Sequence, residues 1–141
     1  GDIHFSKKVE CDVENVRVPS MILQPVVENA VNHGIRNIDW EGHIDLSVER
    51  WNDHIEISVR DNGLGMTGEQ IQRVLSKKVH SSSGEGDSTG IGMNNVISRL
   101  ELYYECDGLM EIYSEGEGMG TEVVINIPLE RSEKNVQNPD C

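Results

Sequence analysis

Polar side chains recur on one face of a predicted helix near the start of the chain. Asn29, Asn32 and His33 are three and four residues apart, a spacing that places residues on the same face of an α-helix. Amide and imidazole groups gathered there could hold a metal ion and a phosphate beside the apolar stripe that begins at Val26. A solvated helix face with a histidine near its end explains the pattern equally well, so both interpretations stay open.

An acidic residue stands at the predicted end of a strand, directly before a glycine turn. Asp61 opens the sequence Asp-Asn-Gly-Leu-Gly-Met, which ends at Met66. A buried carboxylate at that place could accept a hydrogen bond from the exocyclic amine of a nucleotide base. Gly63 and Gly65 would let a ring or backbone approach closely. Asp-Asn-Gly is also a common turn sequence, and for this motif alone a plain turn is the favoured interpretation.

The same glycines match a dinucleotide-binding fingerprint, which we reject. Gly63-x-Gly65-x-x-Gly68 follows a predicted strand and precedes a predicted helix, as that fingerprint requires. It also requires a second parallel strand that ends in an acidic residue about twenty positions further on. Residues 82–87 are serine, glycine and acidic residues that do not predict a strand.

Two further glycine motifs precede predicted elements. Gly90-Ile91-Gly92-Met93 opens a predicted helix, where unpaired N–H groups and the helix dipole favour an anion such as a triphosphate. A flexible joint is the alternative. Residues 116–121, Gly-x-Gly-x-Gly-Thr, fit a hairpin loop as well as a binding loop. The sequence contains neither a P-loop motif nor the His-Arg-Asp and Asp-Phe-Gly motifs of protein kinases.

Apolar periodicity predicts the elements that position these residues. Strands are expected over residues 3–12, 16–18, 44–48, 55–59, 109–113 and 121–127, and helices over 20–34, 69–78 and 93–104. Asn52-Asp53 is the predicted hairpin turn, Pro25 is expected early in its helix, Gly34 at that helix's end, and 79–90 as a mobile loop. Helices combined with antiparallel hairpins predict an α+β two-layer sandwich.

Composition limits the class of protein. A chain of 141 residues with net charge −13 is expected to form one domain without a nucleic-acid partner, because phosphate backbones are bound by Lys/Arg clusters. Three widely separated cysteines predict reduced thiols in a cytoplasmic setting. The sequence has no signal peptide and no transmembrane segment. Since it begins with Gly1, we expect a fragment whose membrane parts lie elsewhere.

In chain order, the motifs at Asn29 with His33, at Asp61, at Gly90 and at Gly120-Thr121 resemble the N, G1, G2 and G3 boxes of the GHKL superfamily, which includes gyrase, heat-shock chaperones, histidine kinases and mismatch-repair ATPases. The resemblance covers residues 18–129, and residues 23–34 are similar to the LytS/YesM-like branch of sensor histidine kinases. It implies the Bergerat ATP-binding fold over residues 1–129, a mixed, mostly antiparallel sheet covered on one face by helices. A polar tail, 130–141, follows.

The resemblance also implies a site for ATP or ADP with Mg2+. Asn29 would bind Mg2+, Asp61 the adenine amine, and Thr121 would support adenine through water. Residues 67–90 would form the ATP lid. The chain departs from the family at Asn32, which replaces a usual lysine. The implied catalytic residues are Glu28 and Asn29, and the implied nucleotide-binding residues are Asn29, Asn32, His33, Asp61, Gly63, Gly65, Met66, Gly90, Ile91, Gly92, Met93 and Thr121.

The activity that the resemblance implies is that of a protein histidine kinase. The γ-phosphoryl group of ATP would pass to a histidine on a dimerisation domain that lies outside this chain, because none of the five histidines stands in a plausible acceptor helix. The implied partners are that domain, in a homodimer, and a response regulator. The implied location is the cytoplasmic side of a bacterial plasma membrane, reached through N-terminal segments.

Two alternatives remain: an anti-sigma serine kinase of the same fold, and a nucleotide-binding module without phosphotransfer. Serine kinases and hydrolysing ATPases carry a glutamate one helical turn before the metal-binding asparagine. Here that place is Pro25, which favours the histidine kinase.

Overall fold

The fold is built on one mixed β-sheet. The computed structural model describes residues 3–9, 20–76 and 88–129, and in these ranges the sheet has five strands. They are β1 (Ile3–Val9), β2 (Gly42–Arg50), β3 (His54–Asp61), β4 (Met110–Tyr113) and β5 (Thr121–Pro128). Their order is β1-β2-β3-β5-β4; β1 runs parallel to β2 and the other pairs are antiparallel.

Helices pack on one face of this sheet. They are α1 (Ser20–Asn29), which continues into a π-helical turn (Ala30–Ile35), α2 (Gly68–Ser76) and α3 (Ser88–Tyr104). Alternate strand residues point into the core, as the burial of Ile55, Ile57 and Val59 shows, and meet apolar residues of α1 and α3. The predicted two-layer α+β fold is confirmed. No helix in the described ranges is long and apolar enough to cross a bilayer.

Most predicted elements are present, with shifted ends. The hairpin turn at Asn52-Asp53 is confirmed and is closed by a hydrogen bond from Trp51 N–H to the carbonyl of His54, 2.8 Å long. Helix α3 begins at Ser88, so Gly90 lies inside its first turn rather than opening it, and the predicted loop is wrong for residues 88–90. The strand predicted at 16–18 and residues 79–87 of that loop lie outside the described residues.

The first helix differs from its prediction at two residues. Pro25 lies inside α1, not near its start, and its missing N–H removes one i→i−4 hydrogen bond from the helix. Gly34 does not end the helix, because the π-helical turn continues to Ile35 and the N–H of Arg36 reaches the carbonyl of Val31, five residues back, at 2.9 Å.

The expectation of reduced thiols is wrong for Cys106. Its side chain is buried and its sulfur is disulfide-bonded, and wide separation along the sequence does not exclude such a bond. Cys11 and Cys141 lie outside the described residues.

Three glycines let the π-helical turn, the turn after β3 and the start of β5 converge. A Cβ on Gly34 would stand 2.8 Å from the carboxyl group of Asp61, and one on Gly63 would stand 1.7 Å from the carbonyl oxygen of Gly34. Gly120, at φ +79°, would place a Cβ 2.2 Å from the carbonyl oxygen of Asp61. Each contact is closer than any side chain permits, so the three segments can meet only through glycine.

Gly63→Ala tests this convergence. The added methyl overlaps the carbonyl of Gly34, so the free energy of unfolding should fall by roughly 3 kcal/mol in urea denaturation. Gly68→Ala is the matched control, because a Cβ at Gly68 meets no atom within 4 Å, and it should change stability by no more than about 0.5 kcal/mol. Equal stability of the two variants would contradict the close packing.

Candidate functional site

A cleft of about 680 Å³ opens where these segments meet. It lies between the end of the first helix, the turn after β3, helix α2 and the loop before β5. Its lining residues are Asn29, His33, Gly34, Asp61, Leu64, Gly65, Met66, Thr67, Gln70, Arg73, Val74, Glu117, Gly118 and Thr121. The volume is within the range of pockets that take small molecules and cofactors.

Asp61 is the acidic group at the base of the cleft. It is the last residue of β3, and its place in the alternation of that strand turns its side chain to the buried face, where it is 7% exposed. Burial raises the pKa of the Asp61 carboxyl, while hydrogen bonds from Gly63 and from the backbone of Thr121 oppose that rise. The bond from Gly63 N–H to Oδ1 is 2.8 Å long.

This geometry lets the Asp61 carboxylate accept a hydrogen bond from a ligand in the cleft. A carboxylate has about four lone-pair sites, so acceptor capacity remains after the bonds to Gly63 and Thr121. Because the group borders the cleft and is shielded from bulk water, it can select a ligand that presents an N–H at that depth.

The π-helical turn separates polar residues that a regular helix would bring together. Asn29 and His33 both line the cleft, whereas Asn32 lines a second pocket beside Ile35 and Trp40. Hydrogen bonds that span five residues widen the turn and rotate Asn32 away from Asn29. The predicted common face is therefore correct for Asn29 and His33 and wrong for Asn32.

Other predicted nucleotide-binding residues lie in the lining of the cleft, directly behind it, or in the hydrophobic core. Gly65, Met66 and Thr121 line the cleft, and Gly63 lies buried behind it against Gly34. Met93, by contrast, is 2% exposed and belongs to the hydrophobic core.

Glu28 is exposed and accepts a hydrogen bond from Gln24 Nε2 at 3.1 Å. The backbone of residues 90–92 is in the first turns of α3, and their side chains lie outside the described part of the structure.

Sequence reasoning predicted helix α2 and assigned its segment to the ATP lid, but it did not name the α2 residues that line the cleft. Gln70 and Arg73 line it, and the start of this helix is fixed by a capping box, in which Gln70 N–H donates to Thr67 Oγ1 at 3.1 Å and Thr67 N–H donates to Gln70 Oε1 at 2.9 Å. The Thr-x-x-Gln pattern at 67–70 is visible in the sequence and could have revealed this helix start.

Two loops close the wall of the cleft next to Asp61. The N–H of Gly118 donates to the carbonyl of Leu64 at 2.7 Å, and that of Gly120 donates to the carbonyl of Gly63 at 3.1 Å. Gly65 has φ +80°, and a Cβ there would stand 2.2 Å from the carbonyl oxygen of Gly116. The turn after β3 and the loop before β5 therefore form one continuous surface.

A metal in this cleft would need ligands from the bound molecule. In the described ranges no group of three or more His, Cys, Asp or Glu side chains could hold a metal ion. Asn29 offers a neutral carboxamide oxygen, which suits an ion such as Mg2+ that keeps several waters and binds phosphate oxygens.

Residues 18–131 match the family described as histidine kinase-, DNA gyrase B- and HSP90-like ATPases. The sensor histidine kinase YpdA of Escherichia coli K12 is 33% identical in an alignment of 125 positions that covers 84% of this chain and 19% of that protein. The sensor protein LytS of Staphylococcus epidermidis RP62A is 30% identical over 133 residues, 94% of this chain and 21% of that protein.

Solved structures agree on the fold. The catalytic domain of histidine kinase ThkA has a TM-score of 0.62 at 20% identity, over 89% of this chain and 80% of that one. A histidine kinase domain from Erythrobacter litoralis EL346 has a TM-score of 0.58 at 20% identity, over 90% of this chain and 55% of that one.

This chain spans about a fifth of the length of the relatives named here. The family match covers most of the chain and includes the residues that line the cleft and strands β2 to β5 of the sheet. The chain belongs to the histidine kinase-, DNA gyrase B- and HSP90-like ATPase family.

Proposed function

We propose that this chain is the ATP-binding catalytic domain of a sensor histidine kinase. In this proposal it holds Mg-ATP in the cleft and presents the γ-phosphoryl group to a histidine on another segment of the full protein. The observation that carries the proposal is the buried carboxylate of Asp61, which borders a cleft whose wall is built from glycine.

The base of the nucleotide binds at Asp61. Adenine carries an amine that can donate to the carboxylate, whereas guanine carries a carbonyl at the same ring position, and a carbonyl facing a carboxylate leaves two acceptors unpaired. Gly65 and Met66 lie against the base, and Thr121 supports it through water. Gly63 gives the turn the room to approach the base.

The phosphates extend toward Asn29, His33 and Arg73, which line the same cleft. Asn29 would hold Mg2+ through its carboxamide oxygen, and the ion would supply positive charge to neutralise the phosphates. The first turn of α3, which includes Gly90, contributes unpaired backbone N–H groups toward the anion, whereas Gly92 lies past the N–H groups that are unpaired at a helix start. Helix α2 and the first residues of α3 belong to a lid, residues 67–90, that covers the nucleotide.

Pro25 favours transfer to histidine over hydrolysis. Water needs a base to deprotonate it, and proline offers no acceptor where a carboxylate would stand one turn before Asn29. Glu28 is adjacent to Asn29, about 100° around the helix, and its carboxylate accepts from Gln24. A neutral imidazole already carries a free lone pair. Its unprotonated nitrogen forms the new N–P bond while the bond between the γ-phosphorus and the β,γ-bridging oxygen breaks, ADP leaves, and the ring loses the proton from its other nitrogen to water.

The partners follow from this activity. The acceptor histidine lies in a dimerisation segment of the full protein, which acts as a homodimer, and the phosphoryl group passes on to a response regulator. The similarity to the sensor proteins YpdA and LytS supports this arrangement, with the domain on the cytoplasmic side of the membrane.

Nucleotide selectivity tests the role of Asp61. Calorimetric titration should show binding of Mg-ATP well above that of Mg-GTP, and Asp61→Asn should lose roughly tenfold or more of the ATP affinity, as expected for a charge-assisted hydrogen bond. Asp45→Asn, a matched change at an exposed residue of β2, should bind ATP like the unchanged chain. Equal affinity for ATP and GTP would contradict the assignment of adenine to Asp61.

The same substitution should change how the stability of the fold depends on pH. Burial raises the pKa of Asp61 above its unfolded value, so folded Asp61 keeps its proton at pH values where the unfolded chain has lost it, and the fold loses stability as pH rises through the interval between the two pKa values. The carboxamide that Asp61→Asn introduces cannot ionise, so this loss is absent from the variant, although it offers one acceptor oxygen in place of two to the Gly63 and Thr121 donors. The melting temperature of the variant minus that of the unchanged chain should therefore be larger at pH 7 than at acidic pH. A difference that stays constant or falls as pH rises would contradict a raised pKa of Asp61.

The absence of a base predicts what the isolated chain does with ATP. It should release negligible phosphate and should not phosphorylate itself, yet it should phosphorylate a histidine when fused to its native dimerisation segment. Radiolabelled ATP, followed by acid and base treatment, identifies the product because phosphohistidine is labile in acid and stable in base.

Two outcomes of that assay would overturn the proposal. An acid-stable phosphoserine on an added protein would establish a serine kinase. Rapid phosphate release by the isolated chain would contradict the argument from Pro25.

A further inference from the structure

We propose that Ser114 is a positioning residue for the nucleotide base: its hydroxyl holds together the two loops that form the base-binding wall of the cleft. This inference rests on the proposed function, because it assigns Ser114 to the adenine half of the site rather than to the phosphate half. The residue follows directly after β4 and carries none of the glycine motifs or periodic patterns that mark the rest of the site.

The hydroxyl of Ser114 makes three hydrogen bonds. It donates to the carbonyl oxygen of Gly120 at 2.6 Å, and it accepts from the N–H of Met66 at 3.0 Å and from the N–H of Gly116 at 3.2 Å. A serine hydroxyl has one donor and two acceptor lone pairs, so its full capacity is used. The side chain is half-buried, which makes each of these bonds costly to lose.

These bonds join the two sides of the wall. Met66 belongs to the turn after β3 and lines the cleft, and Gly120 precedes Thr121, whose backbone bonds to the Asp61 carboxyl. The other ties between the loops, from Gly118 to Leu64 and from Gly120 to Gly63, join backbone atoms. Ser114 is therefore a side chain through which a substitution can loosen the wall without replacing any cleft-lining residue.

Loss of the hydroxyl would leave the Gly120 carbonyl and two N–H groups without this partner. The turn that carries Met66 could then move relative to Asp61, so the base would lose its fixed surface. The phosphates, which extend toward Asn29 and α2, would keep their contacts. The defect should reduce the affinity for ATP and ADP by the same factor, because both carry the same base.

The experiment compares Ser114→Ala with Ser114→Thr and with the control Ser58→Ala. Ser58 is also half-buried and also donates from its hydroxyl, to Glu122 Oε2 at 2.7 Å, but it lies on β3 with its side chain in a pocket apart from the cleft. Calorimetry measures Kd for Mg-ATP and Mg-ADP at a temperature where circular dichroism shows every variant folded. Hydrogen exchange of the nucleotide-free chain measures protection of the Met66 and Gly116 N–H groups.

Ser114→Ala should weaken ATP and ADP equally, by roughly tenfold, and speed exchange at Met66 and Gly116. Ser114→Thr, which keeps a hydroxyl, should recover most of the affinity, and Ser58→Ala should match the unchanged chain. Unchanged affinity in Ser114→Ala, or a loss for ATP that ADP does not share, would overturn the proposal.

Nucleotide binding by the unchanged chain separates this proposal from the proposed function. If the unchanged chain binds no nucleotide, the proposed function fails and so does the assignment of Ser114 to the base. If it binds ATP and Ser114→Ala exchanges and binds as before, only the role of Ser114 fails.

Discussion

The burial of one carboxylate is the constraint on which the rest of this structure depends. An acidic side chain that is 7% exposed must receive hydrogen bonds, or the cost of removing it from water would oppose folding. Asp61 receives them from Gly63 and from the backbone of Thr121. Those donors reach it only because Gly34, Gly63 and Gly120 have no side chains to keep the segments apart.

The sheet fixes where that carboxylate stands. Asp61 continues the row formed by Ile55, Ile57 and Val59, so the register that buries those three residues also buries Asp61. A shift of the strand by one residue would turn the whole row to the solvent face. Pairing of Asp61 with Thr121 across β3 and β5 then places the last strand beside the carboxyl group. The hydrophobic core thereby determines the position of a polar site.

Much of this arrangement could be predicted from the sequence, because the signals are local or periodic. The alternation that ends at Asp61 predicts a strand, and the glycines that follow predict a turn. The place of the Asp61 carboxylate, at a strand end before a glycine turn, could therefore be predicted. The position of Asn32 could not be predicted, because a π-helical turn replaces one set of hydrogen bonds by another without changing the apolar pattern. The role of Ser114 could not be predicted either, since its three partners lie in segments that only the folded chain brings together. Pro25 is the opposite case: its residue type is plain in the sequence and α1 starts at Ser20 as predicted, but the helix continues through the proline beyond its first turn.

The central step of the proposed function is the hydrogen bond from the amine of adenine to Asp61. A crystal structure of the chain with Mg2+ and a non-hydrolysable ATP analogue tests this most directly. The adenine amine is expected within about 3 Å of an Asp61 carboxyl oxygen, as in an ordinary N–H···O hydrogen bond, with Gly65 and Met66 against the ring and the phosphates toward Asn29. Phosphates at Asp61, or a base bound away from it, would contradict the proposed function.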